Sequence, residues 1–126
     1  MTMSDRHDTG RLGEELTAYY LERSGYRILR RNFRVKGGEI DIIAANDEFI
    51  AFVEVKTRAD DAWESGIQAV TKRKQRLIIR AAGEYITKYP SGLQPRFDVA
   101  EVTMKDGKPV KLDYTDNAFG ADNALI

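Results

Sequence analysis

Four charged side chains stand among the aliphatic residues of the stretch GGEIDIIAANDEFIAFVEVKTR, residues 37–58: Glu39, Asp41, Glu54 and Lys56. A carboxylate or ammonium in strands this apolar is costly unless it is paired or holds a cation. Alternate residues of a strand share a face. A hairpin pairing Ala45 with Ile50 sets Asp41 opposite Glu54 and Glu39 opposite Lys56, all on one face and roughly 5–8 Å apart. Ile40, Ile42, Ala44, Ala51, Val53 and Val55 then form a wholly apolar face behind them. A slip of one residue would set Asp41 against Val53 and scatter the group.

Opposed carboxylates repel by up to about 1 kcal/mol even in a solvated sheet, and a bridging divalent cation removes that penalty. Oxygen donors without His or Cys suit Mg²⁺ or Mn²⁺, which binds one or two carboxylates together with waters and phosphate oxygens. A neighbouring lysine could orient or deprotonate the attacking water, or neutralise the pentacovalent phosphorane. Metal-dependent phosphodiester hydrolysis suits this donor set. The plainer alternative is a pair of cross-strand salt bridges, with Lys56 answering Glu39 or Glu54; three acids to one lysine weigh against it.

Two helical residues are placed to extend the cluster. In a helix from about residue 72 to 89, Leu77, Ile78, Ala81, Ala82, Tyr85 and Ile86 share a broad face at 100° per residue, and Lys72, Arg73, Arg76 and Arg80 lie opposite. Lys74 falls among the apolar residues in the first turn, where a cation opposes the helix dipole. It suits a substrate phosphate, and equally a lysine snorkelling at a helix end. Glu14 lies on the helical row of Ala18 and Leu21 and could turn towards the sheet as a further metal-associated acid. On spacing alone, favourable charge placement near a helix N-terminus is the better explanation.

These residues need elements to carry them. Residues 10–24 read as a helix with Leu12, Leu16, Tyr19 and Tyr20 on one side at helical spacing, core packing being the favoured role of the two tyrosines, and Gly25 stops it. Strands are predicted over 26–34, 39–45, 48–57, 97–104 and, at an edge, 109–114. Turns fall at Lys36-Gly37-Gly38, Asn46-Asp47 and Asp106-Gly107. Thr71 suits an N-cap and Pro90-Ser91-Gly92 a stop for the second helix. A polar loop with Trp63 occupies 58–66. The order α-β-β-β-α-β-β predicts an α/β fold, a central mixed β-sheet flanked by α-helices. One domain over 10–120 is expected, with loose ends at 1–9 and 121–126.

Composition narrows the chemistry. With no cysteine there is no disulfide framework or thiol nucleophile, and His7 is the sole histidine, so zinc and histidine-triad sites are disfavoured. No nucleotide-binding glycine loop or G-x-S-x-G elbow is present. No apolar run nears the roughly 20 residues of a membrane span, and no signal peptide opens the chain, so a cytoplasmic location is expected. Twenty basic and twenty acidic residues cancel overall, but residues 23–36 hold six basic side chains and 72–80 five, with no acid in either. Such local patches on a neutral chain fit a polyanion.

The motifs together resemble the PD-(D/E)XK nuclease superfamily, and more closely the YraN-like bacterial family related to archaeal Holliday junction resolvases. The matching pieces are G-x-x-x-E (10–14), residues 21–25, R-x-N-F-R (30–34), GGEIDII (37–43), FVEVKTR (52–58), VTxRKQ (70–75), RFDV (96–99) and Asn117-Ala118-Phe119, spanning nearly the whole chain. The first motif is I-D-I rather than P-D. The resemblance implies a restriction-endonuclease-like fold. By it, Asp41, Glu54 and Lys56 form the catalytic and metal-binding core, Glu14 is the helix-borne acid and metal ligand, and Glu39 and Lys74 support them. The expected activity is Mg²⁺- or Mn²⁺-dependent endonucleolytic cleavage of DNA, including branched or structured DNA. Arg30, Arg31, Arg34, Arg73, Arg76 and Arg80 are expected on backbone phosphates, and a homodimer would supply two cuts. The alternative is a nucleic-acid-binding or complex-assembly protein that keeps the fold without cutting; the intact Asp41, Glu54 and Lys56 favour the enzyme.

Overall fold

The computed structural model describes residues 3–60 and 70–120, with side chains from residue 9 onward. The loop around Trp63 from residue 61 and the tail 121–126 lie outside the described residues. The order is α1 (Met3–Arg23), β1 (Arg27–Val35), β2 (Gly38–Ala45), β3 (Phe49–Ala59), α2 (Lys72–Lys88), β4 (Gln94–Lys105) and β5 (Lys108–Phe119). The strands form one mixed sheet in the order β1-β2-β3-β4-β5. β3 and β4 are parallel and the other neighbours antiparallel; the β3-to-β4 crossover runs through α2, as a parallel pair requires. The expected α/β fold, consistent with a restriction-endonuclease-like architecture, is the one formed.

Local chemistry explains most boundaries. Gly25 takes φ +93°, and the N–H groups of Gly25 and Tyr26 donate to the carbonyls of Glu22 and Leu21, which closes α1 with a left-handed cap. The Asn46 side-chain oxygen accepts from the backbone N–H of Glu48 and of Phe49 at 2.9 and 2.7 Å, which turns β2 into β3. Thr71 caps α2 by accepting from the Lys74 N–H at 3.1 Å. Two expectations fail at α1. It begins at Met3 rather than near residue 10, and Leu12, Tyr19 and Tyr20 are exposed. Its inner face is instead Gly13, Thr17, Ala18 and Leu21. Small side chains win there because the helix lies close on the sheet: a Cβ on Gly13 would sit 2.5 Å from the Thr57 methyl.

Each helix covers one face. α2 buries Ile78, Ala81, Ala82 and Tyr85 against Phe33, Ile40, Ile43, Ile50, Phe52, Phe97 and Val99. α1 buries Ala18 and Leu21 against Ile42, Ala44, Ala51, Val53 and Ala100. The hairpin has the expected register, Ala45 opposite Ile50, through to Ile42 opposite Val53. The expected back face holds for Ile42, Ala44, Ala51 and Val53, with Val55 packed against them. Ile40 is the exception and joins the α2 side with its partner Phe33. Asn32, between Arg31 (opposite Ile42) and Phe33, is left-handed at φ +52°. This is the point along the ladder at which Ile40 and Ile42 pass to different sides of the sheet.

Candidate active site

The β2–β3 ladder stops at Ile42 and Val53, one residue before Asp41 and Glu54. In place of a further ladder bond, the Val55 N–H donates to Asp41 Oδ2 at 2.8 Å. The strands fork here, and the fork explains how a carboxylate enters an aliphatic sheet: its oxygen substitutes for a backbone carbonyl. Asp41 is nonetheless poorly compensated. Burial, then the charge of Glu54, with Glu14 and Glu39 adding, push its carboxyl up to about 7, against the single opposing Val55 N–H.

Glu54 is buried and bound by two cations through one oxygen. Lys56 Nζ lies 3.3 Å and Lys74 Nζ 3.8 Å from its Oε1. Lys74 thus leaves the basic stripe of α2 to reach the sheet, as its place in the helical row suggested. The approach of α2 depends on Gly38, where a Cβ would meet the Leu77 carbonyl oxygen at 2.9 Å. The other glycine of that pair, Gly37, is needed for a different reason, its φ of +86°.

Glu14 comes in from α1, one residue after the close approach at Gly13. Burial raises its carboxyl above the ordinary value; Arg31 opposes this, and Glu39, Glu15 and Glu54 reinforce it. Its Oε1 is buried with no hydrogen-bond partner, a state that calls for a cation, a proton or water. The charges of Glu39 and Glu54 thus bear on both Asp41 and Glu14. Among the described residues, no three acidic or histidine side chains close into a metal cage. The fit is instead to a hydrated hard cation taking one or two carboxylates and leaving positions for water and substrate oxygens.

Some expected placements differ. Glu39 pairs with Arg34 at 3.5 Å; it does not stand opposite Lys56, because the ladder ends first. Arg31 turns towards α1, where Nη1 holds Glu15 at 2.9 Å. Arg30 lies over the Phe33 ring at 5.4 Å. Arg73, Arg76 and Arg80 are exposed along α2, on the face away from the core, as their periodicity required. Gly13 and Gly38 were missed as positioning residues, since close approach leaves no signature beyond the glycine itself.

RFDV has a structural explanation. Asp98, fully buried, accepts from Arg96 Nε at 2.9 Å and Nη2 at 2.9 Å, from the Tyr114 hydroxyl, and from the Asn117 N–H at 2.9 Å. Arg96 also donates to the Tyr26 hydroxyl at 2.6 Å. The group joins β4, β5 and the start of β1. It lies beside a cavity of about 320 Å³ lined by Phe49, Gln94 and Asn117 among others, at the end of β3 remote from Lys56.

Residues 13–102 match the model of the uncharacterised protein family UPF0102, a span holding Glu14, Asp41, Glu54, Lys56 and Lys74. A UPF0102 protein of Alkaliphilus metalliredigens is 47% identical over 113 residues, 87% of this chain and 96% of the relative. Another, of Prosthecochloris aestuarii, is 46% identical over 122 residues, 92% of this chain and 96% of the relative. A third, of Pelobacter propionicus, is 42% identical over 118 residues, 91% and 84% respectively. These bear out the YraN-like resemblance at the level of the family.

Proposed function

The chain belongs to the UPF0102 family, and from the geometry of its site we propose that it is a Mg²⁺- or Mn²⁺-dependent endonuclease acting on DNA. The observation that carries the reading is Asp41, a carboxylate at a strand fork, surrounded by three other acids and answered by one backbone N–H. An arrangement so rich in negative charge is costly by itself and is relieved by a divalent cation. Asp41 and Glu54 would hold the ion, and Glu14 would assist from the helix side, as a metal-associated acid. A bound Mg²⁺ or Mn²⁺ supplies charge neutralisation at the phosphate and a water of lowered pKa.

The chain's own groups have distinct parts. Lys56, fixed by Glu54, orients the attacking water and offsets charge on the phosphorane. Lys74 holds Glu54 from the helix side and presents a second cation to the phosphate. Glu39, tied to Arg34, adds to the negative field. Arg30, Arg34, Arg73, Arg76 and Arg80 serve the DNA backbone without reading sequence; Arg31 works nearer the metal side, against Glu14 and Glu15. Branched or otherwise structured DNA is the favoured substrate class, and a homodimer would place two sites for paired cuts.

The deciding experiment incubates the purified protein with linear, nicked, flapped and four-way DNA in Mg²⁺, Mn²⁺ or chelator. Cleavage should need the metal and fall at least about 100-fold in Asp41→Ala and Lys56→Ala. Cleavage indifferent to both substitutions, or absent from every substrate, would overturn the proposal.

A further inference from the structure

Arg58, the last residue of FVEVKTR, has no part in the site as described so far. It lies on β3 two residues beyond Lys56, and strand alternation gives Glu54, Lys56 and Arg58 the same face. On β4, Glu101 is the register partner of Lys56, and it shares the parity of Phe97 and Val99, which face α2. Glu101 is buried at 9% exposure, and Arg58 Nη1 donates to its Oε1 at 2.6 Å. A buried carboxylate is costly when left alone, and a hydrogen-bonded cationic partner offsets that cost. Here it fixes a guanidinium beside the proposed active site.

The contrast with the other arginines is informative. Arg73, Arg76 and Arg80 are exposed side chains on a helix surface, suited to diffuse attraction. The Arg58 side chain is only 21% exposed, and it is braced by a short charge-assisted bond. A guanidinium carries five N–H groups in a rigid fork, so it can serve several partners at once, Glu101 among them and a phosphate oxygen as another. Two residues of strand displace it about 6.6 Å from Lys56, away from the reacting phosphate and along the same face.

We propose that Arg58 binds the backbone phosphate adjoining the scissile one, and that Glu101 is its positioning residue. This rests on the nuclease reading for the word scissile, but the contact itself can be measured by binding alone. The test is the affinity of the full chain, in Ca²⁺, for a four-way DNA junction carrying one uncharged methylphosphonate linkage at a time. Wild type should lose about tenfold affinity at one particular linkage. Arg58→Gln should bind ordinary DNA about tenfold more weakly and show no further loss at that linkage. Arg58→Lys, which keeps the charge without the fork, should fall between them. Glu101→Gln should weaken the linkage effect while keeping the arginine. Arg73→Gln should bind more weakly yet retain full sensitivity at the same position. A folded Arg58→Gln protein with wild-type affinity, or with the interference pattern unchanged, would overturn the assignment. Wild-type protein that binds but does not cut in Mn²⁺ removes the nuclease reading alone, and the interference result then still decides Arg58. Wild-type protein that binds no DNA removes both.

Discussion

At Asp41 a single carboxyl group carries opposite consequences for folding and for chemistry. Its folded pKa, about 7, lies above its ordinary value of 3.8, so the native state prefers the protonated acid. The stability this confers is present below about pH 4 and is lost as pH rises through 7. Metal-free protein should therefore lose stability between pH 5 and 8, by roughly 1–3 kcal/mol once screening at the open fork is allowed for. Asp41→Asn should flatten that change and raise the melting temperature above that of wild type in chelator at pH 8. Calorimetry at the two pH values measures both, and parallel profiles for the two proteins would refute the account. Adding Mn²⁺ should reverse the order, stabilising wild type and leaving the asparagine variant nearly unmoved. Glu14 has the same sign, since burial also raises its carboxyl.

At the scale of elements, the site depends on how closely two helices lie on the sheet. Gly13 and Gly38 permit those approaches, and the obstacles differ: a flexible methyl of Thr57 for the first, the backbone carbonyl of Leu77 for the second. Gly13→Ala gains up to about 1 kcal/mol of helix propensity and loses about 1–3 kcal/mol by overpacking. A net destabilisation of about 1–2 kcal/mol should follow in urea unfolding. Thr57→Ser removes the obstructing methyl, so the double variant should recover most of that loss. Additive effects would show that the contact is not the cause.

Across the whole molecule, the ends of the sheet have separate duties. The Arg96–Asp98 network ties β4 and β5 to the residue before β1, far along β3 from the acids. Asp98→Ala leaves a buried guanidinium uncompensated and should cost about 3–5 kcal/mol, read as a lower denaturant midpoint with unchanged slope. The charge pattern makes a different prediction. The neutral chain has no general attraction for DNA, so binding should depend on local arginines. Replacing Arg73, Arg76 and Arg80 with glutamine should lower the slope of log affinity against log salt by about one per residue, with little change in fold stability. An unchanged slope would exclude this face. Among the described residues no helix is long and apolar enough to cross a membrane.

Much of this was legible in the amino-acid sequence because it is local. Period-2 alternation around Asp41 and Glu54, with Asn46-Asp47 between, determined the hairpin and its register. Thr71 and the 100° periodicity determined α2, its basic stripe and the inward place of Lys74. The inner face of α1 was misread: Leu12, Tyr19 and Tyr20 are the more apolar residues, but close packing selected Gly13, Thr17 and Ala18. The Glu39–Lys56 pairing failed for a similar reason, since alternation assumes a ladder that continues, and the β2–β3 ladder ends at Ile42 and Val53, with the Val55 N–H bonded to the Asp41 side chain beyond it. Pairs remote in sequence, such as Arg58 with Glu101 and Lys74 with Glu54, leave no local trace. Periodicity and turn chemistry act within a few residues, so the sequence by itself determined the elements and the acids they carry. Only the tertiary structure decided which charges meet, because burial and charge coupling depend on chain segments that approach after the fold has formed.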